Sequence, residues 1–300
     1  MNLWCKSSEV DFFRKSLHFA TPEQLFYVTD TGKYLAYWPR DYKGKKTTIQ
    51  SRNSLIGSFT EKWATDIIQQ MVNDNKLYAV QGAICEEIAL TRQSPADVVI
   101  SRSKGIEQKP EDILVIFEVK MSLVWNWQYI KEKSVFKCIG DYKTHSGTPG
   151  LLRSDSMLKA IGKSINIRVS SPSASRIPII ILGNTPITSH YYNKVDHLYR
   201  AGIIQGFWSV NPSPLDNHDN RDNIKSTPKG GFFRFDTLNE LKSKIDLLYS
   251  KEMSFFSGMK NKRDLGQIIE IANRAKTYEE KGELFINLLE SDIYGKKKGY

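Results

Sequence analysis

The chain has 300 residues, 40% hydrophobic and 25% charged, a balance that excludes a disordered polypeptide and allows one large α/β domain with additions. Its 43 basic and 33 acidic residues leave a net charge of +10, which suits a polyanionic partner without requiring one. Three scattered cysteines, Cys5, Cys85 and Cys138, argue against a disulfide framework or zinc site. Residues 1–6 lack the apolar core of a signal peptide, and no apolar run approaches the ~20 residues of a membrane helix, so the expectation is a cytoplasmic protein with no membrane contact.

In chain order, residues 7–19 carry Val10, Phe12, Phe13, Leu17 and Phe19 at roughly helical spacing. Segments 25–28 and 34–38 flank Thr29-Asp30-Thr31-Gly32-Lys33, which predicts a β-hairpin with a glycine turn. A polar basic stretch, 39–54, sets Arg40, Lys43, Lys45, Lys46 and Arg52 against Asp41. Residues 59–72 predict an amphipathic helix, with Phe59, Trp63, Ile67 and Met71 four apart and Ser58 or Thr60 as its cap. Strands follow at 77–84, 96–101 and 113–120, the last two joined by a polar loop with Gly105 and Pro110.

Ser154 or Asp155 caps a helix through about 167. Residues 177–182 read as a strand, 191–201 as a helix closed by Gly202, and 203–210 as another strand. From residue 59 the order is helix, three strands, helix, strand, helix, strand. Residues 211–231, rich in Asn, Asp, Ser, Pro and Gly, form a long loop. Segments 237–250, 264–276 and 278–291 look helical, and the lysine-rich tail at 296–298 should fray.

The chemistry concentrates in Pro95-Ala96-Asp97 and Ile116-Phe117-Glu118-Val119-Lys120. Side chains alternate along a strand, so Glu118 and Lys120 share one face while Val115, Phe117 and Val119 face the other. If 96–101 returns along 113–120 as a hairpin, Asp97 meets the Glu118–Lys120 end and two carboxylates converge with an amine. Phosphodiester cleavage needs that set: two acids for Mg²⁺, a hard ion that takes oxygen ligands, and a lysine for the water and the developing charge. The Val119 carbonyl is a further candidate ligand.

The pattern P-D, a spacer, then (D/E)-x-K resembles the PD-(D/E)xK nucleases, which include most Type II restriction endonucleases; here Pro95 stands two residues before the acid. The resemblance implies an α/β restriction-endonuclease-like core, a central mixed β-sheet flanked by helices, with an N-terminal hairpin and helix and C-terminal helical additions. It implies metal binding by Asp97 and Glu118, a water-directed Lys120, and an approach to the metal by Glu61 on the preceding helix. Residues 1–57 then form an N-terminal extension, 58–210 the nuclease core, and 211–300 a loop and helical region packed on it.

The implied function is Mg²⁺-dependent cleavage of double-stranded DNA at a short specific sequence, by a homodimer whose cognate methyltransferase is a separate protein. A repair or junction-resolving nuclease, or a catalytically inactive DNA-binding module, is the alternative. Arg153, Lys159 and Lys163 are candidates for phosphate contacts, and Lys43, Lys45, Lys46, Arg52 and Asn53 for DNA contacts in the basic stretch, with Gln50, Arg52 and Asn53 able to reach bases. Glu86 and Glu87 read as a polar strand end. The histidines show no zinc spacing, and no G-x-x-x-x-G-K-[ST] motif is present.

Overall fold

The computed structural model describes residues 2–49, 52–73, 76–216, 223–250, 262–278, 280–284 and 288. The chain opens with helix α1 (Lys6–Ser16), a short turn of helix α2 (Pro22–Leu25) and the hairpin β1 (Tyr27–Val28) and β2 (Tyr34–Leu35). Gly32 takes a φ of 75° at the hairpin turn, a conformation that costs glycine little. Helix α3 (Arg52–Val72) follows, then β3 (Tyr78–Ala83), β4 (Ala96–Ser101) and β5 (Ile113–Lys120).

Two strands absent from the sequence expectation come next, β6 (Asn126–Ile130) and β7 (Val135–Gly140), before helix α4 (Ser154–Ser170). The chain continues through β8 (Ile179–Gly183), α5 (Tyr192–Arg200), β9 (Gly206–Ser209), β10 (Phe232–Arg234), α6 (Leu238–Ser250) and α7 (Lys262–Asn273). Within the expected helix at 278–291, the described residues 278, 280–284 and 288 are helical; Gln50, His218 and the 296–298 tail lie outside the described residues.

The architecture is α/β. A mixed six-stranded sheet has the order β10-β9-β8-β5-β4-β3, with β3, β4 and β5 antiparallel and β5, β8, β9 and β10 parallel. A separate antiparallel sheet, β1-β2-β6-β7, joins the N-terminal hairpin to the two unexpected strands. Trp127 and Tyr129 of β6 are buried, which is the period-two pattern of a strand packed on one side.

The strands of the main sheet are apolar because both faces are covered. On one face α3 packs Trp63, Ile67 and Met71 against Val98, Val115 and Phe117, and α6 adds Leu241 and Ile245 to the same core. On the other, α4 sets Ile167 against Val99, Ile116 and Ile179, and Met157 and Ala160 against Ile181 and Phe207. Trp4, Phe12 and Phe13 from the N-terminal segment enter the α3 core, and the expected segment boundary at 57/58 falls inside α3.

Two cap expectations are corrected. Helix α3 starts at Arg52, so Ser58 and Thr60 lie in its interior, where Thr60 Oγ1 donates back to the Ile56 carbonyl at 2.9 Å. The N-cap of α4 is Arg153, without a side-chain cap bond; its guanidinium instead pairs with Asp155 at 2.5 Å. Among the described residues no helix is long and apolar enough to cross a membrane.

Candidate active site

The register of β4 against β5, with Val98 opposite Phe117, brings the start of one strand to the end of the other. Val99 and Ile116 point into the core beneath α4, so Asp97 and Glu118, each two residues along, emerge on that same face at the sheet's margin. Asp97 is tied down through one oxygen: the backbone N–H of Val119 donates to Oδ2 at 2.7 Å. Lys120, the last residue of β5, donates to Glu118 Oε1 at 2.6 Å and stands 3.6 Å from Asp97 Oδ2. Two strands thus converge two acids and an amine, as their alternation requires.

A fourth group enters from α4. Lys163 Nζ lies 2.6 Å from Glu118 Oε2 and 3.5 Å from Asp97 Oδ1, and donates to the Pro95 carbonyl at 2.8 Å. Its approach to Glu118 Oε2 has the distance of a hydrogen bond without the angle, so that buried oxygen has no hydrogen-bond partner. The carboxylate oxygens are therefore divided, Oδ2 and Oε1 facing Lys120 and Oδ1 and Oε2 facing Lys163.

Lys163 was expected among exposed phosphate contacts; its side chain is only 19% exposed, whereas that of Lys159, one turn earlier, is 79% exposed. The signal was present in the helical pattern: Lys163 follows the buried Ala160 by three residues and precedes the buried Ile167 by four.

Burial disfavours the charge on Lys120, but the carboxylates of Glu118 and Asp97 outweigh it and hold the ammonium above its ordinary pKa. Glu61, on α3, accepts from Gln81 Nε2 at 3.4 Å. Burial first, then the negative charge of Asp97, pushes its carboxyl up. Its environment thus senses the acid pair, yet no group of three His, Cys, Asp or Glu side chains among the described residues stands close enough to hold a metal ion, so Glu61 is outside the close pair.

The donor set at the pair is all oxygen: two carboxylates and the Val119 carbonyl, which accepts from Lys120 at 3.1 Å. With one buried carboxylate oxygen lacking a hydrogen bond, this set fits Mg²⁺, which favours oxygen and needs few protein ligands. Gly82, opposite Asp97 in the β3–β4 ladder, has φ 66° and open space where a side chain would project. The neighbouring strand thus leaves room beside the acid.

The other nominated residues divide. Lys43, Lys45, Lys46 and Asn53 are exposed, and Arg153 and Lys159 project from the start of α4. Arg52 is a correction: it is 4% exposed, donates to the Leu25 and Ala36 carbonyls, and lies between the Tyr27 and Tyr37 rings at 5.0 and 5.2 Å. An interior arginine that fastens the hairpin to α3 is not free to touch DNA. Glu86 and Glu87 sit on an exposed 3₁₀ turn, where Glu87 accepts from Ser173 at 2.7 Å.

Sequence reasoning overlooked Glu9, which is wholly buried on α1; its place three and four residues before Phe12 and Phe13 marks it as core-facing. No protein-family model, no curated protein and no solved structure matches this chain.

Proposed function

We propose that this chain is a Mg²⁺-dependent endonuclease of double-stranded DNA, with a restriction-endonuclease-like core of the PD-(D/E)xK kind and Type II restriction as its activity. One observation carries the reading: Asp97 and Glu118 stand side by side on adjacent strands, with Lys120 reaching both. Asp97, Glu118 and the Val119 carbonyl are the residues that would hold Mg²⁺. Bound there, the ion supplies charge neutralisation on the phosphate and a more acidic water.

The protein's own groups do the rest. Val119 N–H fixes the Asp97 carboxylate through Oδ2, which sets its orientation before substrate arrives. Lys120 keeps its proton at neutral pH because two carboxylates face it. It serves as a hydrogen-bond donor at Nζ, orienting a water and stabilising negative charge as it grows on the phosphate. Glu61, whose carboxyl burial and the charge of Asp97 push up, stays outside the pair and carries no step. The net charge of +10 favours a polyanionic substrate. Cleavage of both strands of a symmetric site calls for a homodimer, and protection of host DNA for a separate methyltransferase.

The test is digestion of plasmid DNA with Mg²⁺ beside Lys120→Ala. Sharp fragments from the wild type and none from the variant support the reading. Equal cutting by both removes Lys120 from the mechanism, selective cutting of branched DNA assigns a repair or junction-resolving role, and DNA binding that survives EDTA without cleavage assigns an inactive binding module.

A further inference from the structure

We propose that Lys163 is a built-in counter-ion to the Asp97–Glu118 pair, which leaves the two carboxylates when a divalent cation binds them. The inference rests on the nuclease reading and concerns a residue that reading does not use. Its basis is the division of the oxygens. Asp97 Oδ2 is committed to the Val119 N–H and Glu118 Oε1 to Lys120, at 2.7 and 2.6 Å. Asp97 Oδ1 and Glu118 Oε2 have neither of these partners, and Lys163 Nζ stands over that pair at 3.5 and 2.6 Å.

A divalent cation held by the two acids would compete with the Lys163 ammonium for this position, both for volume and for like charge. The hold on Lys163 is also of a kind that can be released. It consists of an ion pair with Glu118 Oε2 at 2.6 Å, a hydrogen bond to Pro95 O at 2.8 Å and a long one to Asp97 Oδ1 at 3.5 Å, all made by the tip of one flexible side chain. Lys120 differs: it hydrogen-bonds Glu118 Oε1 and the Val119 carbonyl, and so stays with its strand. Until metal arrives, Lys163 limits the repulsion between two adjacent carboxylates. Afterwards its ammonium, on a long flexible stem rooted in α4, is free to meet the negative charge of a DNA phosphate.

The experiment uses the full chain without DNA. Lysines of the wild type are acetylated with an N-hydroxysuccinimide ester, with and without saturating Mn²⁺, and mapped by peptide mass spectrometry. Mn²⁺ should raise the labelling rate of Lys163 and leave that of the exposed Lys159 unchanged. In parallel, free Mn²⁺ is titrated by its electron paramagnetic resonance signal. Lys163→Met should bind Mn²⁺ about tenfold or more tightly, the scale of one lost charge repulsion, and Lys163→Arg should bind as the wild type does.

If the wild type binds Mn²⁺ while Lys163 labelling stays constant or falls, the counter-ion role is overturned and the nuclease reading stands. The same holds if Lys163→Met folds and binds Mn²⁺ no more tightly. If neither protein binds Mn²⁺ and the wild type cuts no DNA, both are overturned. The labelling arm requires no variant, so a Lys163→Met that fails to fold leaves the inference exposed to refutation.

Discussion

Glu9 and Glu118 are both buried acids, at 0% and 6% exposure, yet their surroundings are opposite in kind. The Glu9 carboxylate accepts from four neutral N–H groups, the backbone of Val124 at 2.5 Å and Trp125 at 3.3 Å and the indoles of Trp127 at 2.7 Å and Trp4 at 3.3 Å. Glu118 faces two ammonium groups, Lys120 at Oε1 and Lys163 at Oε2, each at 2.6 Å. Every donor around Glu9 is rigid, so the acid acts as a clamp between α1 and the segment that leaves β5. The donors around Glu118 are flexible side chains, so its partners can be exchanged. A saturated set of neutral, rigid bonds stabilises a fold; a charged set on mobile side chains can give way to a ligand.

The sharpest way to break this contrast is to delete one acid from each region. Asp97→Ala should lower the rate of Mg²⁺-dependent plasmid nicking by about 10³-fold, the scale for losing a group that acts on the transition state, while the chain still folds. Glu9→Ala should do the reverse. It leaves four N–H groups without an acceptor, and should lower stability by about 3 kcal/mol or more in urea unfolding. An Asp97→Ala variant that unfolds, beside a Glu9→Ala variant that does not, would reverse the assignment of clamp and site.

A second, smaller effect follows from proton binding. Burial drives the Glu9 carboxyl up from 4.5 to about 7, against the lowering effect of its N–H donors. The folded state therefore holds this proton more tightly than the unfolded chain does, and stability falls as pH rises from about 4.5 to about 7. The full window corresponds to ~3 kcal/mol. Urea midpoints compared at pH 5 and pH 8 should show this slope in the wild type, and Glu9→Gln, which cannot titrate, should show less of it. Equal slopes in the two proteins would mean that Glu9 is ionised throughout.

Much of this was legible in the sequence, and the omissions have physical causes. The β4 and β5 segments could be read because Ala96–Ser101 and Ile113–Lys120 are short, apolar and bounded by polar loops, whereas the register that sets Asp97 beside Glu118 depends on a shift between Ile100 and Ser101 that the sequence does not announce. The convergence of Asp97, Glu118 and Lys120 needed only that register. The β6–β7 hairpin was missed although Trp127 and Tyr129 alternate, because β7 alternates between exposed and half-buried positions and offers no apolar run. Its turn also closes on Ser134, a non-glycine residue at φ 50°. Arg52 was misread because composition alone cannot tell a solvated arginine from one whose donors face carbonyls across the core. Lys163 was misread because it was grouped with Lys159 by charge, while its spacing from Ala160 and Ile167 puts it on the inward side of α4.

The smallest expected effect separates those two lysines of α4. Lys159 lies 3.9 Å from Asp155, which Arg153 already engages at 2.5 Å, so the Lys159 charge is solvated and barely committed. An exposed pair of this kind contributes little to folding, and Lys159→Ala should change stability by less than about 0.5 kcal/mol. A solvated ammonium facing DNA displaces counter-ions from the phosphates instead. The variant should then bind duplex DNA more weakly regardless of sequence, with the slope of log K against log salt reduced by about 1. Fluorescence anisotropy across a series of KCl concentrations without divalent metal measures this. Under the same conditions the Lys163 charge is engaged by the acids, so Lys163→Met should leave the slope nearly as it was. A larger slope change in Lys163→Met than in Lys159→Ala would show that Lys163 reaches phosphate with both carboxylates still bare of metal, and the difference in exposure between the two lysines would then have no bearing on which one DNA meets first.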